Sequence, residues 1–193
     1  MTDPGMNVTV LEFAVVFLLF AVALALFLVL RLAARVAVLE GSLHAPRLQI
    51  GDVVPDFEGR RAADGGSFTS TDLVGRNTAL IFLSADCPQC VAKRPDLLAM
   101  LPGMNHTDVT FWIAPADEGQ DLSEVVGGSA LEAHVLILKS DVRRRLNPNN
   151  LVPSYLFIDD QMIVRDQSHM EDENWIDFVR QMKALSSEAA QTV

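Results

Sequence analysis

Cysteine is scarce in this chain: there are two in 193 residues. So few exclude a disulfide-stapled scaffold, and two thiols cannot by themselves complete a four-ligand zinc site. Positive charge is short as well. Lys and Arg total 15 against 25 Asp and Glu, a formal net charge of −10, and from Leu48 onward the balance is 12 to 22. A surface of that sign repels phosphate backbones and argues against a nucleic-acid partner. No Lys or Arg precedes Arg31, and no internal repeat or low-complexity tract is present.

What the chain has in excess is apolar. Half of its residues are hydrophobic and its mean hydropathy is +0.25. One stretch carries the excess: Phe13–Leu30 (FAVVFLLFAVALALFLVL) runs for 18 residues without a charge or a proline. At about 1.5 Å per residue it reaches roughly 27 Å, close to the hydrocarbon thickness of a bilayer. A cleaved signal peptide needs a basic leader, and residues 1–12 have none, so the stretch reads as an uncleaved transmembrane helix. Arg31, Arg35 and Arg47 all follow it, and the positive-inside rule taken alone places the C-terminal part in the cytoplasm. The expected organisation is a tail over 1–12, the transmembrane helix over 13–30 and a juxtamembrane helix and linker over 31–48. A folded domain over 49–187 and a frayed tail over 188–193 complete it.

Strand-like and helix-like patterns alternate in the folded part, which predicts an α/β layered domain. Asp56–Ser70 reads as a hairpin turning at ADGGS. TALIFLS (78–84) and VTFWIA (109–114) are short apolar runs, as buried central strands require. A helix with Pro95 inside it is expected over Val91–Leu101, and short helices over Leu122–Val126 and Asp141–Leu146. His134–Leu138 is expected as a strand, and Ser154–Ile158 with Met162–Val164 as a hairpin. The last helix is expected over Asp172–Leu185, burying Trp175, Phe178, Val179, Met182 and Leu185 on one face. Lys93 and Arg94 read as a solvated helix face, as do Arg143, Arg144 and Arg145. His169 reads as a solvated loop residue.

The two cysteines form Cys87-Pro88-Gln89-Cys90, between a buried strand and a helix. A C-x-x-C pair serves redox chemistry, half of a zinc site or haem attachment. Val91 stands where the haem motif needs His, and no second Cys pair exists for zinc. At a helix start the dipole and free N–H groups favour a thiolate.

This arrangement resembles the thioredoxin superfamily over roughly Gln49–Leu185. Four features carry the resemblance: strand–CPQC–helix; Pro95, placed where the family kinks its active-site helix; Val152-Pro153 opening a strand (VPSYLFID); and the opening IGDVVPDF, similar to the TlpA/ResA and redoxin branch. With the anchor and the CPxC pattern, the chain looks most like the methylamine utilization MauD family. The resemblance implies a thioredoxin-like fold, a central mixed sheet flanked by helices, preceded by one transmembrane helix. It implies Cys87 as nucleophile and Cys90 as resolving thiol, acting on protein substrates through a mixed disulfide with no cofactor or metal. Val152 and Pro153, the latter in the family's cis-proline position, would bind the substrate peptide. A membrane electron donor or acceptor and the lipid bilayer complete the implied partners. The implied location is a bacterial inner membrane with the soluble domain in the periplasm. Disulfide chemistry belongs outside the reducing cytosol, and long domains translocate largely regardless of charge.

The sequence departs from that pattern beside the dithiol. Asp86 stands where thioredoxins place Trp, and a carboxylate there opposes a neighbouring thiolate. Asp86 and Pro88 are therefore the expected tuners of thiol acidity. Ile81 stands where many thioredoxins bury an acid. Leu80 occupies the proline position of the peroxiredoxin motif, which makes a peroxidase a poor fit. The rival to an oxidoreductase is a thioredoxin-fold binding or chaperone module, copper-carrying in one version, whose dithiol never turns over.

Overall fold

In a computed structural model the protein is described over residues 15, 17–32, 48–104 and 106–191. The chain divides into two compact units, Met1–Pro46 and Arg47–Val193. In the first, residues 17–32 form a helix (α1) whose side chains are exposed, among them Phe17, Phe20 and Phe27. Among the described residues, no helix is long and apolar enough to cross a membrane. Phe13, Ala14 and Val16 of the expected span lie outside the described residues, as do 33–47 of the expected linker.

The second unit is built on β3 (Asn77–Leu83). It pairs in parallel with β4 (Val109–Pro115) and antiparallel with β6 (Ser154–Ile158), which pairs antiparallel with β7 (Val164–His169). The order β4-β3-β6-β7 makes a mixed sheet. The expected hairpin forms as β1 (Glu58–Arg61) and β2 (Ser67–Thr69), and β1 also pairs with β5 (Leu136–Leu138) in a separate three-stranded sheet. A parallel bridge from Ile113 to Val135 ties that sheet to β4.

Side chains alternate across a strand, so β3 serves two cores. Ala79, Ile81 and Leu83 face α3 (Arg94–Met104) and α6 (Glu173–Gln191), meeting Leu97, Met100, Trp175 and Val179. Leu80 and Phe82 face the hairpin and α5 (Ser140–Leu146), meeting Phe57, Phe68, Val142 and Leu146. Full burial of a Leu, Ile, Phe or Met side chain, as at Ile81, Leu83, Leu97 and Met100, contributes about 1.5–3 kcal/mol.

The structure corrects the expected elements in several places. The helix after the dithiol is two helices, α2 (Pro88–Ala92) and α3, divided at Lys93. Pro95 has no N–H for the Val91 carbonyl and its ring crowds that oxygen, so it fits only the first turn of a new helix. The short helix α4 covers Ser123–Val126. His134 ends a 3₁₀ turn, Ala130–His134, rather than opening a strand, and its ring stacks on Phe111 at 4.5 Å. β7 begins at Val164 and extends through His169, where a loop was expected. α6 runs past Leu185 to Gln191, with Trp175, Val179 and Met182 buried and Phe178 and Leu185 half-buried. Arg143 is only 7% exposed, bonded through Nη1 to Asn150 Oδ1, and Arg94 Nη2 donates to the Gly127 carbonyl at 2.7 Å. Neither is a solvated helix face.

Candidate active site

β3 ends at Leu83, and Ser84-Ala85-Asp86 turn the chain into α2. The Cys87 N–H donates to the Ser84 carbonyl at 3.3 Å. Cys87 has extended backbone and caps α2, and its Sγ accepts the Cys90 N–H at 3.4 Å. Its carbonyl accepts the N–H groups of Cys90 and Val91. Pro88 opens the helix, where a missing N–H and a fixed φ cost nothing. Pro88, Gln89 and Asp86 are exposed, Cys87 is half-buried and Cys90 is 0% exposed. Both thiols are free.

Burial pushes the Cys90 thiol up to about 12, with the neighbouring Cys87 adding to the shift. Cys90 therefore stays a neutral thiol at neutral pH, while the sulfur open to a partner is Cys87. Ile81, at the position of the missing buried acid, is itself fully buried among apolar neighbours.

The Val152–Pro153 peptide is cis. Ser154 pairs with Phe82 across β6 and β3, so the turn before β6 lies at the same sheet end as the turn after β3. Pro153 is buried and its carbonyl accepts the Met170 N–H at 3.1 Å. Among the described residues the Val152 N–H and carbonyl make no hydrogen bond. The preceding loop is held by Asn147, whose side chain donates to the Leu151 carbonyl at 2.8 Å and accepts the Leu151 N–H at 3.1 Å. The fold thus brings Asp86, Cys87, Pro88, Cys90, Val152 and Pro153 to one end of the sheet.

His169 is half-buried at the end of β7, opposite Ser154. Lys93 turns to Glu171, 3.8 Å away. Among the described residues no three of His, Cys, Asp and Glu converge as a metal site.

One residue of the site has no signal in the sequence. Gln120, on the loop after β4, donates from Nε2 to Ser84 Oγ at 2.9 Å and to Asp86 Oδ2 at 3.1 Å. The Asp86 carboxylate is thereby engaged with this loop.

A mixed sheet ending in a C-x-x-C helix start beside a cis-proline turn defines a thioredoxin-like fold. Solved structures agree. A thiol:disulfide interchange protein from Bacteroides sp. superposes with a TM-score of 0.55 at 18% identity, covering 69% of this chain and 90% of that one. A putative DsbE-type thiol:disulfide interchange protein from Chlorobium tepidum gives 0.55 at 19%, covering 72% and 99%. A thioredoxin family interchange protein from Chlorobium tepidum TLS gives 0.54 at 20%, covering 72% and 98%. At these identities the likeness is one of fold. No protein-family model matches the sequence, and no curated protein matches it.

Proposed function

We propose that this protein is a membrane-anchored thiol–disulfide oxidoreductase. The observation that carries the reading is the asymmetry of the dithiol. Cys87 is half-exposed and receives a backbone N–H, whereas Cys90 is buried and protonated. That is the division of labour between an attacking and a resolving thiol.

In the reducing direction the Cys87 thiolate attacks one sulfur of a substrate disulfide. A bond forms between Cys87 Sγ and that sulfur, and the other substrate sulfur leaves as a thiolate. Cys90 then passes its proton to the substrate thiolate just released and attacks Cys87 Sγ. The mixed disulfide breaks, the substrate leaves as a dithiol, and Cys87–Cys90 is oxidised. The oxidising direction is the reverse. The Val152 N–H and carbonyl, without a partner among the described residues, offer a substrate backbone the two bonds of an added strand. No cofactor enters either step.

The apolar run at Phe13–Leu30 supports an inner-membrane anchor, and the disulfide chemistry supports a periplasmic domain. The MauD-like pattern supports a role in maturing disulfide-containing extracytoplasmic proteins. The interchange activity named for the structural neighbours agrees with this reading.

The test is insulin reduction by dithiothreitol in the presence of the purified protein, with metal content measured on the same sample. Catalysed precipitation that disappears in Cys87→Ser is expected. Inactive protein that carries stoichiometric copper would replace this reading with the binding-module one.

A further inference from the structure

We propose that Gln120 is a positioning residue for the dithiol: it ties the Asp86 carboxylate to the loop after β4 and keeps that charge from competing with the Cys87 thiolate. The inference rests on the oxidoreductase reading and adds a residue to it.

The loop carrying Gln120 is docked against the site. The Ala116 N–H donates to the Leu83 carbonyl at 2.8 Å, and the Gln120 N–H to the Asp117 carbonyl at 3.1 Å. Gln120 Nε2 then reaches Ser84 Oγ and Asp86 Oδ2, on either side of Ala85 in the turn that leads into Cys87. Both amide hydrogens are committed. Oε1 is left buried with no partner among the described residues.

An orphaned buried acceptor is unfavourable, and rotating the amide by half a turn would re-aim it. The rotated amide would set Oε1 against Asp86, whose carboxylate accepts hydrogen bonds and has no proton to give. Asp86 therefore fixes the orientation of Gln120, and Gln120 in turn fixes the carboxylate. The other buried side-chain atom without a partner among the described residues is Arg143 Nε. Arg143 braces the same loop, with Nη2 3.6 Å from Asp117 Oδ1, and its Nη1 reaches Asn150 ahead of the cis proline. The loop thus joins the dithiol turn to the cis-proline turn.

Released from Gln120, the carboxylate is free to swing toward the start of α2, where the Cys90 N–H now serves the Cys87 sulfur. A carboxylate there opposes the thiolate. The residue next to a reactive thiol then becomes a brake, and Gln120 is what holds it off.

The experiment uses the full chain in detergent, fully reduced, as wild type, Gln120→Leu, Asp86→Asn and the double variant. Two quantities are read at pH 7: the rate of Cys87 alkylation by iodoacetamide, and the dithiol–disulfide equilibrium against glutathione. Gln120→Leu should slow alkylation about three- to tenfold and move the equilibrium toward the disulfide. In the Asp86→Asn background the same substitution should change neither. Thermal stability should fall by a similar amount in both backgrounds, because buried Ser84 Oγ loses its Gln120 partner whether residue 86 is Asp or Asn. If Gln120→Leu does not fold, Gln120→Met carries the same test. Equal slowing in both backgrounds, or none in the wild-type background, overturns the proposal. Alkylation needs no protein substrate, so its outcome is independent of whether the protein reduces insulin.

Discussion

The Cys90 backbone N–H donates to Cys87 Sγ at 3.4 Å, so the buried cysteine's own main chain supports the exposed cysteine's sulfur. The two thiols differ in access by construction. Cys87 ends the turn from β3, and Cys90 lies one helical turn on, facing the core with Leu97 and Met100.

The buried thiol makes reduced protein sensitive to alkali. Cys90 is pushed up to about 12 by burial, above an unfolded thiol of about 8.5. Its contribution to stability is fully present below the unfolded value and is lost as pH rises toward the folded one. Denaturant midpoints of the reduced protein should fall from about pH 8.5 to pH 12 more steeply than those of Cys90→Ala. Parallel curves would mean that Cys90 is solvated.

The helix that follows the dithiol is seated on α6 through a glycine. A Cβ on Gly103 would lie 2.0 Å from the Met182 carbonyl oxygen, and the Gly103 N–H donates to Ser186 Oγ at 2.6 Å. Gly103→Ala must push the two helices apart and should cost about 1–3 kcal/mol in a urea titration. An unchanged midpoint would show that α3 and α6 do not meet there.

Asp172 ties α6 to β6. Its Oδ1 accepts the Trp175 N–H and its Oδ2 the Tyr155 hydroxyl, both at 2.8 Å. Burial pushes its carboxyl up, but the Trp175 N–H, the Tyr155 hydroxyl and nearby groups outweigh burial and hold it below the usual range. Its stabilisation is therefore present above about pH 4 and lost as pH falls through the lowered value. Asp172→Ala should cost about 1–2 kcal/mol at pH 7, and the gap to wild type should close in acid. A gap independent of pH would contradict the ionised cap.

Topology is open to a fusion test. Alkaline phosphatase joined after Val193 should be active in a bacterial host, because the proposal places the second unit in the periplasm. A silent phosphatase fusion beside a fluorescent cytoplasmic reporter fusion would reverse the orientation.

Much of the fold is legible in the sequence because its central elements are extreme. TALIFLS and VTFWIA are apolar enough to be buried on both faces, and ADGGS can only turn. The dithiol and the cis proline are likewise carried by local residue patterns. What escapes is polar and long-range. β7 reads as a loop because VRDQSH has no apolar face of its own. Its polar groups are half-buried by partners elsewhere, such as the Tyr155 hydroxyl, whose single proton is shared between Asp166, 2.7 Å away, and Asp172. Arg143 looks like one of three surface arginines until Asn150 and Asp117 are folded against it. Gln120 lies 34 residues from Asp86 and belongs to no motif, so only the β3–β4 pairing reveals their meeting.

The central claim is that Cys87 attacks and Cys90 resolves. Its most direct test is trapping in living cells with the single-cysteine variants, followed by non-reducing electrophoresis and mass spectrometry. Cys90→Ser should accumulate mixed disulfides between Cys87 and cysteine-containing extracytoplasmic proteins, since attack proceeds and resolution cannot. Cys87→Ser should accumulate few, because its remaining thiol is buried and protonated. Equal trapping by both variants, or none by either, would contradict the account.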